Sequence, residues 1–405
     1  MKDDRGALSP WAANFLLVLG AVIGSLILCE LLLRLLGISY PVLDWTDPVR
    51  GVAYIPGARS APRSDGSSNI EISSDGRRGP ETTVARRPGT YRIALLGDSF
   101  IAGYDVPFDA TAGEVMARRL TDLWGTPVEV LNYGHGGYGT TQELLTLRHE
   151  VWKYAPDLVL LGLTTGNDIS DNYRPLKLSD YIPYYVYEGD QLVLDSSFLQ
   201  SKGYRSRAFW TRELLGVMQH SRLAQLINRG RRLERRGERN ERNASGDPAE
   251  EVGLRDEVQL PPTTPEWKEA WKVTEGLLLL IRDECRKHNT PFGLVTLTRG
   301  IQVAPSREKK ERFLRSLGAT DLFYPDRRIT EFGKREGIPV LNLAPIMSEQ
   351  AETLQVYYHR FNDQLGVGHW SREGNQAAGD LMASWVATQF ADSAAREVRS
   401  QHAHP

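Results

Sequence analysis

The stretch YRIALLGDSF, residues 91–100, predicts a buried β-strand that stops at a glycine and is followed at once by a serine. The apolar run from Ile93 to Leu96 is typical of a strand that is covered on both faces. Gly97 permits a tight turn, so Ser99 is expected at the carboxyl end of the strand, where open α/β sheets hold their ligands. Such a serine is a candidate nucleophile, although Asp or Ser at a strand end is also an ordinary helix cap.

Further apolar runs alternate with amphipathic segments along the chain. This alternation predicts an α/β fold in which helices cover both faces of a parallel sheet. The predicted strands are residues 91–96, 128–132, 157–163, 292–297 and 339–343, and the predicted helices are residues 109–124, 141–155, 266–288 and 326–336.

Two of these strand ends carry groups that are suited to bind an oxyanion. Four glycines lie between residues 134 and 139, and a bare backbone N–H at Gly137 is a candidate donor. Asn167 follows the next strand, and its amide is a second candidate donor. The alternatives are a plain glycine-rich connection with Thr140 as helix cap, and an Asx turn at Asn167.

A candidate general base lies far along the chain. His369 stands in the sequence GVGHWS, residues 366–371, just before a predicted helix that runs from about Ser371 to about Phe390. A neutral imidazole there can take a proton from a serine. The alternative is a histidine that only packs in the loop.

Together, and in this order, the four segments resemble the SGNH (GDSL-type) hydrolase superfamily, in particular its membrane-anchored bacterial members. The resemblance spans about residues 90 to 390. It implies a three-layer α/β/α, flavodoxin-like fold with a five-stranded parallel sheet and no cofactor. It also implies that Ser99 is the nucleophile, that His369 is the base, and that the amides of Ser99, Gly137 and Asn167 form the oxyanion hole.

The chain departs from the family pattern at one position. The family usually has an aspartate three residues before the histidine, where this sequence has Gly366. Two groups remain as candidates to orient the imidazole. They are the carboxylate of Asp363, six residues upstream, and a main-chain carbonyl of the loop, which would leave a Ser–His dyad. An acid that only orients the base is not strictly required for catalysis.

Residues 11–36 are apolar enough to form a membrane anchor. Counted from Trp11, about 19 residues precede Glu30, which suffices to span a hydrocarbon core. A buried core helix or a cleaved secretory signal are the alternatives, but no small-residue cleavage site follows the run. We expect a single-pass anchor, with residues 1–10 in the cytoplasm and the enzyme domain outside. The flanking charges encode this orientation only weakly.

Composition excludes some functions. The chain holds 49 Lys+Arg and 51 Asp+Glu, for a formal charge of −2, so no nucleic-acid partner is expected. Its two cysteines, Cys29 in the anchor and Cys285 in a predicted helix, are not expected to pair, so no disulfide partner is predicted. The sequence has no Cys/His cluster with metal-ligand spacing, so no metal is expected.

The remaining segments complete the predicted domain plan. Residues 37–89 are predicted to form a linker or a small β appendage, and residues 90–392 are predicted to form the hydrolase domain. A tail is predicted at residues 393–405. Residues 169–262 interrupt the alternation with a hairpin at 184–194 and a helix at about 207–228. Residues 229–257 carry many charges of both signs, which predicts a flexible loop; a lid or a basic edge is the alternative. Five tyrosines suit either sugar stacking or hairpin packing: Tyr173, Tyr181, Tyr184, Tyr185 and Tyr187.

Three functions are compatible with these features. The first is a serine esterase that acts on acyl or acetyl esters, with a cell-envelope glycan as one candidate substrate. The second is an O-acyltransferase, in which a polysaccharide hydroxyl takes the acyl group in place of water. The third is a glycan-binding or assembly protein that keeps the fold without catalysis, and Gly366 is its best support.

Overall fold

The computed structural model describes residues 9–60, 69–230, 255–361 and 364–391. Within these ranges the chain alternates between strands and helices. The strands are β1 (Asp44–Asp47), β2 (Gly51–Tyr54), β3 (Tyr91–Gly97), β4 (Val128–Gly134), β5 (Leu158–Thr164), β6 (Tyr184–Glu188), β7 (Gln191–Asp195), β8 (Phe292–Leu297), β9 (Val340–Asn342), β10 (His359–Phe361), β11 (Gln364–Leu365) and β12 (His369–Trp370).

Five of the strands form one central sheet. Its five strands are parallel and lie in the order β4-β3-β5-β8-β9, which is the flavodoxin-like order. The predicted α/β fold with a five-stranded parallel sheet is therefore confirmed. Strand order reverses beside β3, so the ends of β3 and β5 flank the crevice where ligands of such sheets bind.

Helices cover both faces of this sheet. Helices α3, α12 and α13 bury one face, and α4, α9 and α11 bury the other. The α-helices are α1 (Pro10–Leu35), α2 (Ser99–Ala102), α3 (Ala112–Trp124), α4 (Thr140–Thr146), α5 (Asp168–Asp171), α6 (Arg174–Lys177), α7 (Lys202–Ala208), α8 (Leu215–His220), α9 (Pro265–Lys287), α10 (Arg307–Leu317), α11 (Tyr324–Glu336), α12 (Leu343–Leu354) and α13 (Arg372–Gln389).

A close approach between backbone segments places the serine over the sheet. Gly97, at the end of β3, lies in register with Gly134 of β4. A Cβ atom at Gly97 would lie 2.3 Å from Ile101 Cγ1, and one at Gly134 would lie 2.2 Å from the Ala102 nitrogen. Because larger residues do not fit at these two positions, Gly97 and Gly134 allow α2 to pack directly against the carboxyl ends of β3 and β4.

Two small antiparallel sheets lie outside the central one. The hairpin β1–β2 belongs to the predicted β appendage, and β6 pairs with β7 as the predicted hairpin. A third small sheet, in the order β11-β10-β12, follows α12 and contains His369. It was not predicted, because strands of two or three residues leave no periodic signal in the sequence.

The predicted helix at 207–228 is wrong. Helix α7 ends at Ala208, a π-helical turn covers Phe209–Glu213, and α8 covers Leu215–His220. A further helical run occupies residues 222–230. Most of the predicted flexible loop at 229–257, and the tail at 393–405, lie outside the described residues. The first helix, α1, has a mean hydropathy of 2.6 in its best window and no buried residue, so it is long and apolar enough to span a membrane.

Candidate active site

Ser99 begins the short helix α2 directly after β3. The side chain of Asp98 caps this helix, because its Oδ1 accepts a hydrogen bond from the Phe100 nitrogen at 2.9 Å. Ser99 is half-buried, and its Oγ lies 2.8 Å from Nε2 of His369. The predicted nucleophile and the predicted base are therefore in hydrogen-bond contact.

The other nitrogen of His369 contacts an acid that was not predicted. Nδ1 lies 2.8 Å from Oδ2 of Asp105, and the two side chains are 31% and 38% exposed. Since Oδ2 can only accept from a protonated Nδ1, this contact leaves Nε2 free to accept the serine proton. Ser99, His369 and Asp105 thus have the connectivity of a catalytic triad.

The predicted orienting groups for His369 were Asp363 and a loop carbonyl. Asp363 lies outside the described residues. Gly366 has a φ of +81°, in the left-handed region, and a Cβ there would lie 3.1 Å from Tyr357. This backbone explains why the chain has glycine where the family has aspartate. Only an inspection of the residues that follow Ser99 in sequence, in the turn after α2, could have identified Asp105 as a candidate acid.

A buried histidine supports the loop that carries His369. His359 is fully buried, with Nδ1 2.7 Å from the Gly368 carbonyl and Nε2 2.7 Å from Thr298 Oγ1. A carbonyl only accepts, so Nδ1–H donates and Nε2 accepts the threonine hydroxyl. Burial lowers the pKa of His359 to about 4, which keeps the ring neutral. Gly368, which precedes His369, is therefore held by a hydrogen bond from His359, whose tautomer is defined by its two contacts.

Two of the predicted oxyanion donors, Asn167 and Gly137, follow β5 and β4, the strands on either side of β3. Asn167 precedes α5, and its Nδ2 lies 3.3 Å from Oδ2 of Asp98, the cap of the serine helix. Gly137 lies in the exposed turn after β4 with a φ of +80°. That turn is tied to the serine segment, because the Gly136 nitrogen donates to Tyr104 Oη at 2.8 Å. Both donors thus belong to loops that are linked to the Ser99 segment.

A buried arginine supports the turn that carries Asp105. Arg78 is 1% exposed, and its Nη2 donates to the Val106 carbonyl at 2.9 Å. Burial lowers the pKa of Arg78, and the nearby Tyr54, Tyr104 and Asp105 oppose that shift. A buried guanidinium therefore holds the residue that follows Asp105 and adds a positive charge nearby.

The carboxyl groups of Asp98, Glu143 and Asp168 are buried near the carboxyl ends of β3 and β5. Burial and repulsion from neighbouring carboxylates raise the pKa of Glu143 and Asp168 well above the usual range, and burial also raises that of Asp98. Asp168 Oδ2 accepts from the Thr164 nitrogen at 2.7 Å. The surroundings of Glu143 and Asp168 thus favour the uncharged form of both carboxyl groups. Among the described residues, no His/Cys/Asp/Glu group is arranged to hold a metal ion.

A cavity of about 240 Å³ lies beside the glycine-rich turn. Its lining combines aromatic and charged side chains, including Trp45, Arg50 and Arg77, with Gly134 and His135. The five tyrosines considered for sugar stacking are not part of this lining. Tyr184 and Tyr185 are buried, and their hydroxyl groups bind the Ser179 carbonyl and Arg148. Packing of the β6–β7 hairpin accounts for these two residues.

Comparisons with known proteins add the following findings. No protein-family model matches the chain, and no curated protein matches it. Solved structures match it at low identity. A lipase from a goat rumen metagenome is 12% identical, with 73% of this chain and 96% of that chain covered and a TM-score of 0.38. An acetyl xylan esterase is 12% identical, with coverages of 73% and 100% and a TM-score of 0.38.

A lipase/acylhydrolase from Enterococcus faecalis is 13% identical, with coverages of 74% and 96% and a TM-score of 0.34. Other matches have titles that place them in the G-D-S-L family of lipolytic proteins. At identities and TM-scores this low, the likeness adds no argument about the reaction, the substrate or the anchor.

Proposed function

We propose that this protein is a membrane-anchored serine esterase of the SGNH type, acting on acyl or acetyl esters. One observation carries the proposal. Ser99 Oγ and Asp105 Oδ2 each lie 2.8 Å from a different nitrogen of His369. In this arrangement a base can take a proton from the serine while a carboxylate orients the imidazole ring.

The proposed reaction begins with proton transfer. His369 Nε2 takes the proton of Ser99 as Oγ attacks the ester carbonyl carbon, and Nδ1–H remains bound to Asp105. The imidazolium then gives its proton to the leaving alkoxide, which departs as an alcohol. This leaves an acyl group on Ser99. Water, deprotonated by His369 in the same way, attacks the acyl-enzyme and releases the acid.

The negative charge on the carbonyl oxygen needs donors in the tetrahedral state. We assign this role to the backbone N–H groups of Ser99 and Gly137 and to the side-chain amide of Asn167. Ser99 lies in the first turn of α2, where backbone N–H groups lack intrahelical acceptors. The Asn167 amide has two N–H bonds, so the contact with Asp98 leaves one for the substrate.

Transfer to a sugar hydroxyl is the second candidate function. The cavity of about 240 Å³ that borders the glycine-rich turn favours it, since the cavity walls pair aromatic rings with charged groups. This volume is below the ~300 Å³ at which ordinary ligand pockets begin, so it suits no more than about one sugar ring. Ser99 does not line this cavity, so an acceptor held there would have to extend to the serine to compete with water for the acyl group.

The apolar helix α1 supports the proposed location. Its 26 residues would cross the bilayer once and hold the catalytic domain at its surface. We propose that the domain lies on the extracytoplasmic side, with a cell-envelope glycan ester as one substrate.

The test uses full-length protein in detergent and a chromogenic acetyl or butyryl ester. We expect turnover in the wild type, a mass increase on Ser99 after reaction with a fluorophosphonate, and neither in Ser99→Ala. A folded wild-type protein that shows no turnover and no labelling would favour the non-catalytic, glycan-binding alternative. Adding a soluble glycan acceptor separates the two enzymes, because only a transferase would form acylated sugar.

A further inference from the structure

The end of α1 is bound to a distant part of the chain. Glu30 accepts hydrogen bonds from the nitrogens of Arg222 and Leu223, each at 3.0 Å, and from Ser221 Oγ at 3.1 Å. Arg34, one turn further on, pairs with Glu30 and donates to the His220 carbonyl. These contacts cap the start of the helical residues 222–230 with a carboxylate from the membrane helix.

The residues after α1 continue this attachment. Gln225 Oε1 accepts from the Tyr40 nitrogen at 2.9 Å and lies 3.2 Å from Ser39 Oγ. Residues 202–230, called here the juxtamembrane segment, are therefore held at the level where α1 ends. If α1 spans a bilayer, this segment lies next to the head groups.

The surface of the juxtamembrane segment is unusually apolar for a region exposed to water. Phe209, Trp210, Val217 and Ile227 are each about half exposed, at 54%, 48%, 57% and 52%. Large exposed apolar patches mark interaction sites. Trp and Phe favour the interface between lipid and water in particular.

The charged residues of the juxtamembrane segment are almost all basic. Residues 202–230 contain one acidic residue, Glu213, against six basic ones: Lys202, Arg205, Arg207, Arg212, Arg222 and Arg229. The whole chain, in contrast, is nearly neutral at −2. Basic clusters next to a membrane helix attract anionic lipid head groups.

We propose that the juxtamembrane segment binds the surface of an anionic phospholipid bilayer. Its exposed apolar side chains enter the interface, and its arginines contact lipid phosphates. The inference rests on one part of the proposed function, the insertion of α1, and on none of the catalytic chemistry. It identifies a second membrane contact beside the anchor itself.

A short series of polar contacts connects the juxtamembrane segment to the catalytic domain. Thr211 Oγ1 lies 3.1 Å from the Thr46 nitrogen and 3.0 Å from Thr46 Oγ1 in β1. At the start of the same strand, Asp44 pairs with His135 of the glycine-rich turn at 3.3 Å. A segment bound to lipid would therefore fix the orientation of this sheet edge relative to the membrane.

The test places environment-sensitive fluorophores in full-length protein in lipid nanodiscs. The probe sites are Val217→Cys on the segment and Leu354→Cys on the exposed end of α12, both in a Cys29→Ser background. Cys285 is fully buried, so its lack of reaction with the label reports that each variant is folded. Lipids with brominated chains then quench those labels that lie in the bilayer.

In nanodiscs containing phosphatidylglycerol, we expect quenching at residue 217 on the order of twofold or more, and none at residue 354. Replacing phosphatidylglycerol by phosphatidylcholine, or introducing Arg205→Glu with Arg212→Glu, should reduce it. A label at residue 217 that stays in water overturns the proposal. Protection that depends on protein concentration, in detergent as well as in lipid, also overturns it and indicates a second copy of the chain.

A label on the native Cys29 separates this result from the anchor. Cys29 lies in α1 and is exposed in the folded chain. If α1 inserts, its label is quenched whatever happens at residue 217. Failure at both sites would contradict the anchor, and failure at residue 217 alone would contradict only the second contact.

Discussion

Ser99 and Asp105 lie six residues apart in sequence and bind opposite nitrogens of the same imidazole ring. One short segment thus carries both the proposed nucleophile and the acid, and His369 comes from the far end of the chain to complete the set. The acid is therefore positioned by the same backbone that positions the serine.

Replacing Asp105 by Asn should lower kcat and leave KM almost unchanged. The amide cannot hold Nδ1–H as the carboxylate does, so part of the population has the wrong tautomer. A buried triad acid contributes about 10⁴-fold. Asp105 is 38% exposed, so we expect a loss of roughly 10²- to 10⁴-fold. Ester turnover measures it, with Asp363→Asn as the matched control at less than about tenfold. A larger loss for Asp363→Asn would give the role to Asp363.

Replacing Asn167 by Ala should lower kcat by roughly 10²-fold or more, because an oxyanion donor acts mainly in the transition state. The measurement is steady-state turnover of the chromogenic ester. Because Asn167 also contacts Asp98, the melting temperature of the variant must be recorded as a control. A change confined to KM would show that Asn167 only binds the substrate.

Replacing Arg78 by Met should reduce kcat by about tenfold and also lower stability. The change removes the hydrogen bond from the Arg78 guanidinium to the Val106 carbonyl, at a cost of about 1.5–3 kcal/mol, and lets the turn that carries Asp105 shift. Arg78→Lys keeps the charge and a donor, so it should restore part of kcat. Equal kcat in the two variants would mean that Arg78 acts on stability alone.

Replacing Asp326 by Asn should stabilise the protein increasingly as the pH rises. Asp326 is fully buried, and burial raises its pKa from 3.8 to about 7. Below pH 4 the carboxyl is protonated in both folded and unfolded chains. Between about pH 4 and 7 the unfolded chain loses this proton first, so wild-type stability falls. Asn keeps the acceptor for Gln302 without the charge. Melting temperatures across this range measure the effect, and a constant difference would contradict the raised pKa.

Long apolar runs made the central sheet predictable from sequence. The strand at 292–297 and the helix at about 266–288 match β8 and α9 closely, because both are fully buried on the faces that their apolar residues mark. Helix α10 was not predicted. Its 11 residues are mostly charged and mostly outside the core, so it has no apolar stripe for a periodicity to detect.

The site was predictable only in part. Ser99, Asn167 and His369 follow recognisable strand or loop signals, and Gly137 lies in a visible glycine cluster. Asp105 has no such signal. Its role depends on the long-range contact with His369 and on the buried Arg78, and both arise from the tertiary fold. Likewise, no pattern in residues 202–230 shows that Glu30 would interrupt the predicted helix by capping a new one at Ser221.

The left-handed backbone at Gly366 has a consequence for how such proteins evolve. On the proposed assignment of the acid to Asp105, the histidine loop does not have to supply a carboxylate, and this requirement no longer constrains its length and composition. The loop can gain or lose residues upstream of His369 as long as the hydrogen bond from His359 Nδ1 to the Gly368 carbonyl is kept. A sequence pattern that demands an aspartate three residues before the histidine would overlook a chain whose acid follows the serine as Asp105 follows Ser99.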